Sequence, residues 1–168
     1  MAGAAVVNAS PLIFLAKLER LDALRVFERV LTTPVVVAEV ELGLEQGYRE
    51  ALSVQRAIDE GAIVVRRAPE LTLPPPRLDP GELSVISLAR RTPGSTVVID
   101  DLPAIRAAKH LGLRVRSTPF VLLDNLHEGK MDATEFRGML ERLVGLDYYL
   151  SASLLLFLME AAQRLERR

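Results

Sequence analysis

Two adjacent carboxylates, Asp100 and Asp101, end the short apolar run Thr96-Val97-Val98-Ile99. Pro93-Gly94 bounds the run on its other side, so it reads as a buried parallel strand that delivers its acids to the sheet edge where α/β folds bind ligands. Asn8 and Ser10 follow a second such run, Ala4-Ala5-Val6-Val7. Glu39 and Glu82 fall within or at the start of helices that follow crossovers. If the strands before Asn8 and Asp100 are neighbours, these polar groups share one sheet edge. Carboxylates crowded together repel, and their pKa values rise unless a cation neutralises them. Magnesium or manganese suits hard oxygen donors, keeps several waters and leaves room for a phosphate. The chemistry this predicts is hydrolysis of a phosphodiester. Each residue also has a plainer role: an Asp caps a helix that follows a strand, and the helix dipole favours Glu82 in a first turn.

The elements that must hold these residues alternate. Strands are expected at Ala4–Val7, Val30–Thr33, Ala62–Val65, Thr96–Ile99 and Leu113–Arg116. The first helix is predicted to start with Ser10 as cap and Pro11 in its first turn, and to carry the Leu12, Leu15, Leu18, Leu21 and Leu24 repeat. Further helices are predicted at Val35–Glu45, Tyr48–Glu60, Glu82–Arg91 and Leu102–Leu111, then at Phe120–Glu128, Asp132–Val144 and Leu150–Arg167. Gly61 and Gly112 end two of them. On the second helix Glu39 shares a partly apolar face with Val35 and Leu42, while Glu41 turns away. Pro69–Pro80 reads as an extended connector, with Asp79 and Pro80 as cap and first-turn residue of the helix carrying Glu82. Alternation of this kind predicts an α/β fold with a mostly parallel sheet covered on both faces.

At 168 residues the chain is expected to form one domain. With 49% hydrophobic and 26% charged residues it has the composition of an ordinary soluble protein. The net charge of −1 provides no global basic field, so a nucleic acid would have to be held by a local patch or by metal. The absence of cysteine excludes disulfides, thiolate zinc sites and cysteine nucleophiles. No secretory signal and no membrane span are read, which suits a cytoplasmic location. The run Leu154–Met159 is more apolar than a surface helix should be and is expected to be buried in the domain or in a dimer, with the core as the default. His110 and His127 read as packing or surface residues. Arg106 and Lys109, with Arg90, Arg91, Arg114 and Arg116, could form a basic rim for RNA phosphates. Only 5% of residues are aromatic and none is Trp, which leaves little for base stacking.

At the acidic positions a family resemblance emerges. Val6-Val7-Asn8-Ala9-Ser10-Pro11-Leu12-Ile13 resembles the opening of PIN domains, where a strand ends in an acid followed two residues later by Ser or Thr. Thr33-Pro34-Val35-Val36-Val37-Ala38-Glu39-Val40 is similar to the segment that delivers their second acid. Leu78-Asp79-Pro80-Gly81-Glu82 resembles a VapC-like branch with Glu82 at the third acidic position. Val97-Val98-Ile99-Asp100-Asp101, followed by Ala107 to Val115, resembles the fourth-acid region. The specificity lies in four motifs in order, over about residues 4 to 130, with a C-terminal helical extension from 131 to 168.

The resemblance implies a three-layer α/β/α sandwich and a magnesium- or manganese-dependent ribonuclease site, with Glu39, Glu82 and Asp101 as metal ligands. Asp100 is the alternative to Asp101, since spacing does not settle which turns inward. Asn8 would orient a ligand or water and Ser10 would support the same turn. It further implies the toxin of a toxin–antitoxin pair, a homodimer restrained by a small antitoxin. Asn8 departs from the pattern, because most PIN nucleases have aspartate there. An amide oxygen can ligate magnesium but brings no charge and cannot act as a base. The rival reading is therefore a PIN-fold module, catalytically weak or inactive, that binds RNA or a protein. A different phosphate-handling doubly wound fold is disfavoured, because no Gly-rich loop follows the first strand.

Overall fold

A computed structural model describes residues 3–70 and 78–166. It forms two compact units, Met1–Thr118 and Pro119–Arg168. The first contains strands β1 (Ala4–Val7), β2 (Arg29–Thr32), β3 (Val64–Val65), β4 (Thr96–Val98) and β5 (Arg114–Arg116), with helices α1 (Ala9–Lys17), α2 (Pro34–Glu45), α3 (Arg49–Asp59), α4 (Pro80–Arg90) and α5 (Leu102–His110). The strands pair in the order β3-β2-β1-β4-β5 and every pairing is parallel. The first three strands extend the sheet one way and β4 and β5 extend it the other. Helices α1, α2 and α3 pack on one another and α4 packs against β1 and β4; growth in two directions through crossovers of the usual right hand gives an α/β/α sandwich.

The direction of sheet growth reverses between β1 and β4, the predicted neighbours: Val6 pairs with Val97 and Val7 with Val98. All four residues are fully buried, as expected for strands covered on both faces. Because every strand runs the same way, Asn8, Thr33 and Asp100-Asp101 emerge at one edge of the sheet. Proline just inside a helix start recurs at the same edge. Thr33 caps α2 by accepting from the Val36 N–H, and Asp79 caps α4 in a reciprocal box with Glu82. At the other ends, Gly61 and Gly112 adopt φ of +77° and +74° just past α3 and α5, conformations that disfavour side chains.

Several expectations need correction. Ser10 lies inside α1, and Asn8 holds the cap position without a side-chain cap bond. Helix α1 stops at Lys17, because Glu19 takes a φ of 58°; Leu21 and Leu24 belong to a separate 3₁₀ turn, Leu21–Val26. Val35 and Leu42 are exposed while Val36 and Val40 are buried, so the face of α2 carrying Glu39 is the outer one. Of the proposed connector, residues 71–77 lie outside the described residues.

The second unit holds α6 (Thr118–His127, its first residue closing the first unit), α7 (Ala133–Gly145) and α8 (Ala152–Glu166). Asp132 caps α7 by accepting from the Glu135 N–H. Phe136, Leu140 and Leu143 of α7 and Leu158 of α8 are buried. The expectation of core burial for Leu154–Met159 fails at its centre, where Leu156 is 65% and Phe157 52% exposed. The ring of Phe157 lies against that of Phe120, with centroids 6.2 Å apart. Among the described residues no helix is long and apolar enough to cross a membrane.

Candidate functional site

Asn8 stands at the end of β1, at the switch point of the sheet. Its backbone is fully used: its N–H donates to Val98 O (3.0 Å) and its carbonyl accepts from the Leu12 N–H (3.5 Å). Its side chain is buried, 6% exposed, and Oδ1 has no hydrogen-bond partner. This is unusual twice over. Asn is a preferred N-cap because that oxygen ordinarily takes a helix N–H, and a buried unpaired acceptor costs about 1–3 kcal/mol.

The adjacent aspartates divide their work. Asp100 accepts from the Thr118 N–H (2.7 Å), Thr118 Oγ1 (2.8 Å) and Ser10 Oγ (3.3 Å). Both of its oxygens are thus engaged in tying the end of β4 to α1 and to the turn after β5. Asp101 is exposed and caps α5 by accepting from the Ala104 N–H at 3.1 Å. Its charge reaches Glu82.

Glu82 is held by the first turn of α4. Its N–H donates to Asp79 Oδ1 (2.7 Å) and its Oε2 accepts from the Asp79 N–H (3.0 Å). The residue is 6% exposed. Burial pushes its pKa up to about 7; the bond from the Asp79 N–H opposes this, and the charges of Asp79, Asp101 and Glu39 add to it. Glu39 is exposed as a residue, yet its carboxylate folds inward over Gly81, where a Cβ would collide with Oε1. Partial burial of that carboxylate, then the charge of Asp79, raises its pKa. Helices α2 and α4 are fastened together beside these acids. Thr33 Oγ1 and Ser84 Oγ lie 2.7 Å apart, and Ser84 Oγ also donates to Gly81 O (2.7 Å).

Glu39, Glu82 and Asp101 therefore share an electrostatic neighbourhood with Asp79, which sequence reasoning took only as a cap. The signal for Asp79 was its position three residues before Glu82, where it both caps and adds charge. Thr118, the anchor of Asp100, was not among the residues singled out from sequence. Of the proposed basic rim, Arg116 ends β5 at the edge that carries Asp100 and Asp101. Arg90 and Arg91 sit at the far end of α4, and the Arg114 guanidinium lies beside Gly3 and Gly94, which precede their strands. Arg106 and Lys109 are exposed on α5, about 7 and 12 Å along the helix axis from Asp101.

Among the described residues no three His, Cys, Asp or Glu side chains form a ready metal cage. The donor set still fits an ion of the magnesium type. Such an ion needs only one or two carboxylates while keeping waters; the orphaned amide oxygen of Asn8 follows β1 and Asp101 follows the neighbouring β4, and the charge of Asp101 reaches the buried Glu82.

Carboxylates gathered at the carboxyl edge of a parallel five-stranded sheet, where its strand order reverses, mark the edge at which α/β proteins of this kind bind their ligands. The family profile described as PIN domain matches residues 4–164, and the chain belongs to that family. PIN domains are generally nucleases and typically use divalent metal ions. Among solved structures, the fold is similar to that of a PilT N-terminus domain protein from the hyperthermophilic archaeon Sulfolobus solfataricus. The match has a TM-score of 0.52 and 21% identity over 73% of this chain and 93% of that one. No curated protein sequence matches the chain.

Proposed function

We propose that the protein is a metal-dependent endoribonuclease that hydrolyses RNA phosphodiester bonds, with magnesium or manganese held by Asn8, Glu39, Glu82 and Asp101. The observation that carries this reading is the buried, unpartnered Oδ1 of Asn8 at the edge shared with those acids. When bound, the ion supplies Lewis-acid chemistry, lowering the pKa of a water and stabilising charge on the leaving oxygen. Asn8 offers a neutral oxygen fixed by a saturated backbone. Asp101 serves as ligand in preference to Asp100, whose oxygens are engaged by Thr118 and Ser10. Burial and the neighbouring carboxylates raise the Glu82 pKa to about 7 without metal, and a bound cation would favour its charged, ligating form. Glu39 closes the acidic side from α2. The role we assign is the toxin of a cytoplasmic toxin–antitoxin pair, a homodimer whose acidic cleft a small antitoxin occupies. The family membership and the apolar surface of α8 support it.

The test is cleavage of a mixed structured RNA with manganese or magnesium, against an EDTA control and Glu82→Gln. Cleavage should require both the ion and Glu82. A folded protein inactive in millimolar manganese would favour the second reading, a PIN-fold module that binds RNA or a protein without cutting. Two observations point that way: the uncharged Asn8, and the lack of a preformed cage among the described residues.

A further inference from the structure

A cavity of about 630 Å³ opens beside the acidic cluster, within the size range of small-ligand sites. One wall is the start of α2, Pro34 and Val35; another is Leu83 with Ser84 and Ser87 of α4; the third is the segment Arg67–Glu70 that follows β3. Leu83 and Ser84 directly follow Glu82, and Val35 lies one turn before Glu39 on the same face of α2. The cavity is thus lined by residues that neighbour, along both helices, those assigned to phosphodiester chemistry.

Its lining has the character of a nucleotide site. Val35, 37% exposed, and Leu83 with the ring of Pro34 offer apolar surface suited to the face of a base. Arg67 is the single cation among the described lining residues, in a neighbourhood otherwise dominated by acids. A guanidinium there compensates a phosphate's charge and matches its oxygens in pairs. Ser84 Oγ donates to Gly81 O and is bonded to Thr33 Oγ1, whereas Ser87 Oγ donates to Pro69 O and keeps acceptor capacity suited to a ribose hydroxyl. The Glu70 carboxylate adds an acceptor for an amino group on a base.

We propose that this cavity is a subsite for one nucleotide of single-stranded RNA next to the scissile phosphate, with Arg67 on its phosphate and Val35 and Leu83 against its base. The proposal rests on the RNA reading of the adjacent acidic site, but its test needs no catalysis. Binding of a short fluorescein-labelled single-stranded RNA to the whole protein is followed by fluorescence anisotropy in EDTA. Arg67→Ala removes the charge, and Ala68→Trp fills the cavity from the third wall. Each is expected to weaken binding about tenfold, with an unchanged circular dichroism spectrum. Glu82→Gln, which should abolish cleavage, is expected to bind as tightly as the natural chain or more tightly. RNA binding that neither pocket substitution alters would overturn the subsite and leave the nuclease reading intact. Weakened binding with no cleavage under any metal would retain the subsite and remove the nuclease. Failure of the natural chain to bind RNA would overturn the subsite outright.

Discussion

Asn8 carries an expense that most asparagines avoid, and removing it is informative. Alanine there deletes the buried unpaired oxygen, so Asn8→Ala should not lower thermal stability in EDTA, although it empties a core position. Aspartate there restores the family's commoner residue but adds charge beside Glu82 and Asp101. Asn8→Asp should therefore melt lower than the natural chain in EDTA and gain more from manganese, which would bind a more anionic site. Equal melting shifts with manganese in both proteins would mean that Asn8 does not face the ion. Glu82 makes a further prediction, about pH. Its pKa is about 7 in the folded chain against an ordinary 4.5, so between those values the folded state holds a proton that the unfolded state has released. Stability in metal-free buffer should then fall as pH rises from about 4.5 to 7 and level off above. Glu82→Gln preserves the capping geometry and removes this titration, so urea titrations across the window should show a flatter pH profile. A small slope of the same sign should persist from Glu39, whose pKa is raised too. A profile that climbs with pH would contradict the electrostatics described.

At the scale of elements, Asp100 and Asp101 should separate cleanly. Asp100 joins β4, α1 and the turn before α6, so Asp100→Ala leaves the buried Thr118 N–H without its partner and should cost about 1–3 kcal/mol in urea unfolding. Asp101→Asn keeps an N-cap for α5, since asparagine caps as well as aspartate, so stability should hold while metal-dependent cleavage drops. Loss of cleavage with Asp101 unchanged in role and Asp100 inert in folding would reverse the assignment. Sequence could not make this choice, because the two carboxylates differ only in which way the chain turns after Ile99. The strands themselves were readable, since β-branched runs ended by Asn8, Pro34 and Asp100 carry their own punctuation. Proline and glycine marked most helix ends for the same local reason. What escaped depended on distant groups: Ser10 looked like a cap, yet its hydroxyl is spent on Asp100, ninety positions away. Leucine spacing ran on through Leu21 and Leu24 because periodicity does not register the left-handed turn at Glu19. The acidic candidates themselves were legible as residue types at strand and helix ends. The contribution of Asp79 was not, because a cap and a charged neighbour look alike in sequence.

For the whole molecule, the apolar surface is the property that composition concealed. Apolarity alone assigned Leu154–Met159 to the core, but a helix fifteen residues long presents several faces, and only one direction of α8 is buried at Leu158 and Ala162. Leu156 and Phe157 remain exposed, as do Val144 and Tyr149 of the same unit, at 50% and 85%. Exposed side chains of this size in one unit are the material of a subunit interface. The homodimer we propose would use this surface, so that pairing and cleavage depend on different residues. Sedimentation velocity should then show a dimer for the natural chain and a monomer for Leu156→Lys combined with Phe157→Glu. The paired substitution should leave the far-ultraviolet spectrum unchanged, because both side chains are more than half exposed and only the contact of Phe157 with Phe120 is lost. A natural chain that stays monomeric at tens of micromolar would remove the homodimer from the proposed role. A dimer that survives both charges would move the interface to another surface. In either case the predictions for Asn8, Glu82 and Asp101 stand or fall separately, since each concerns residues of the first unit alone.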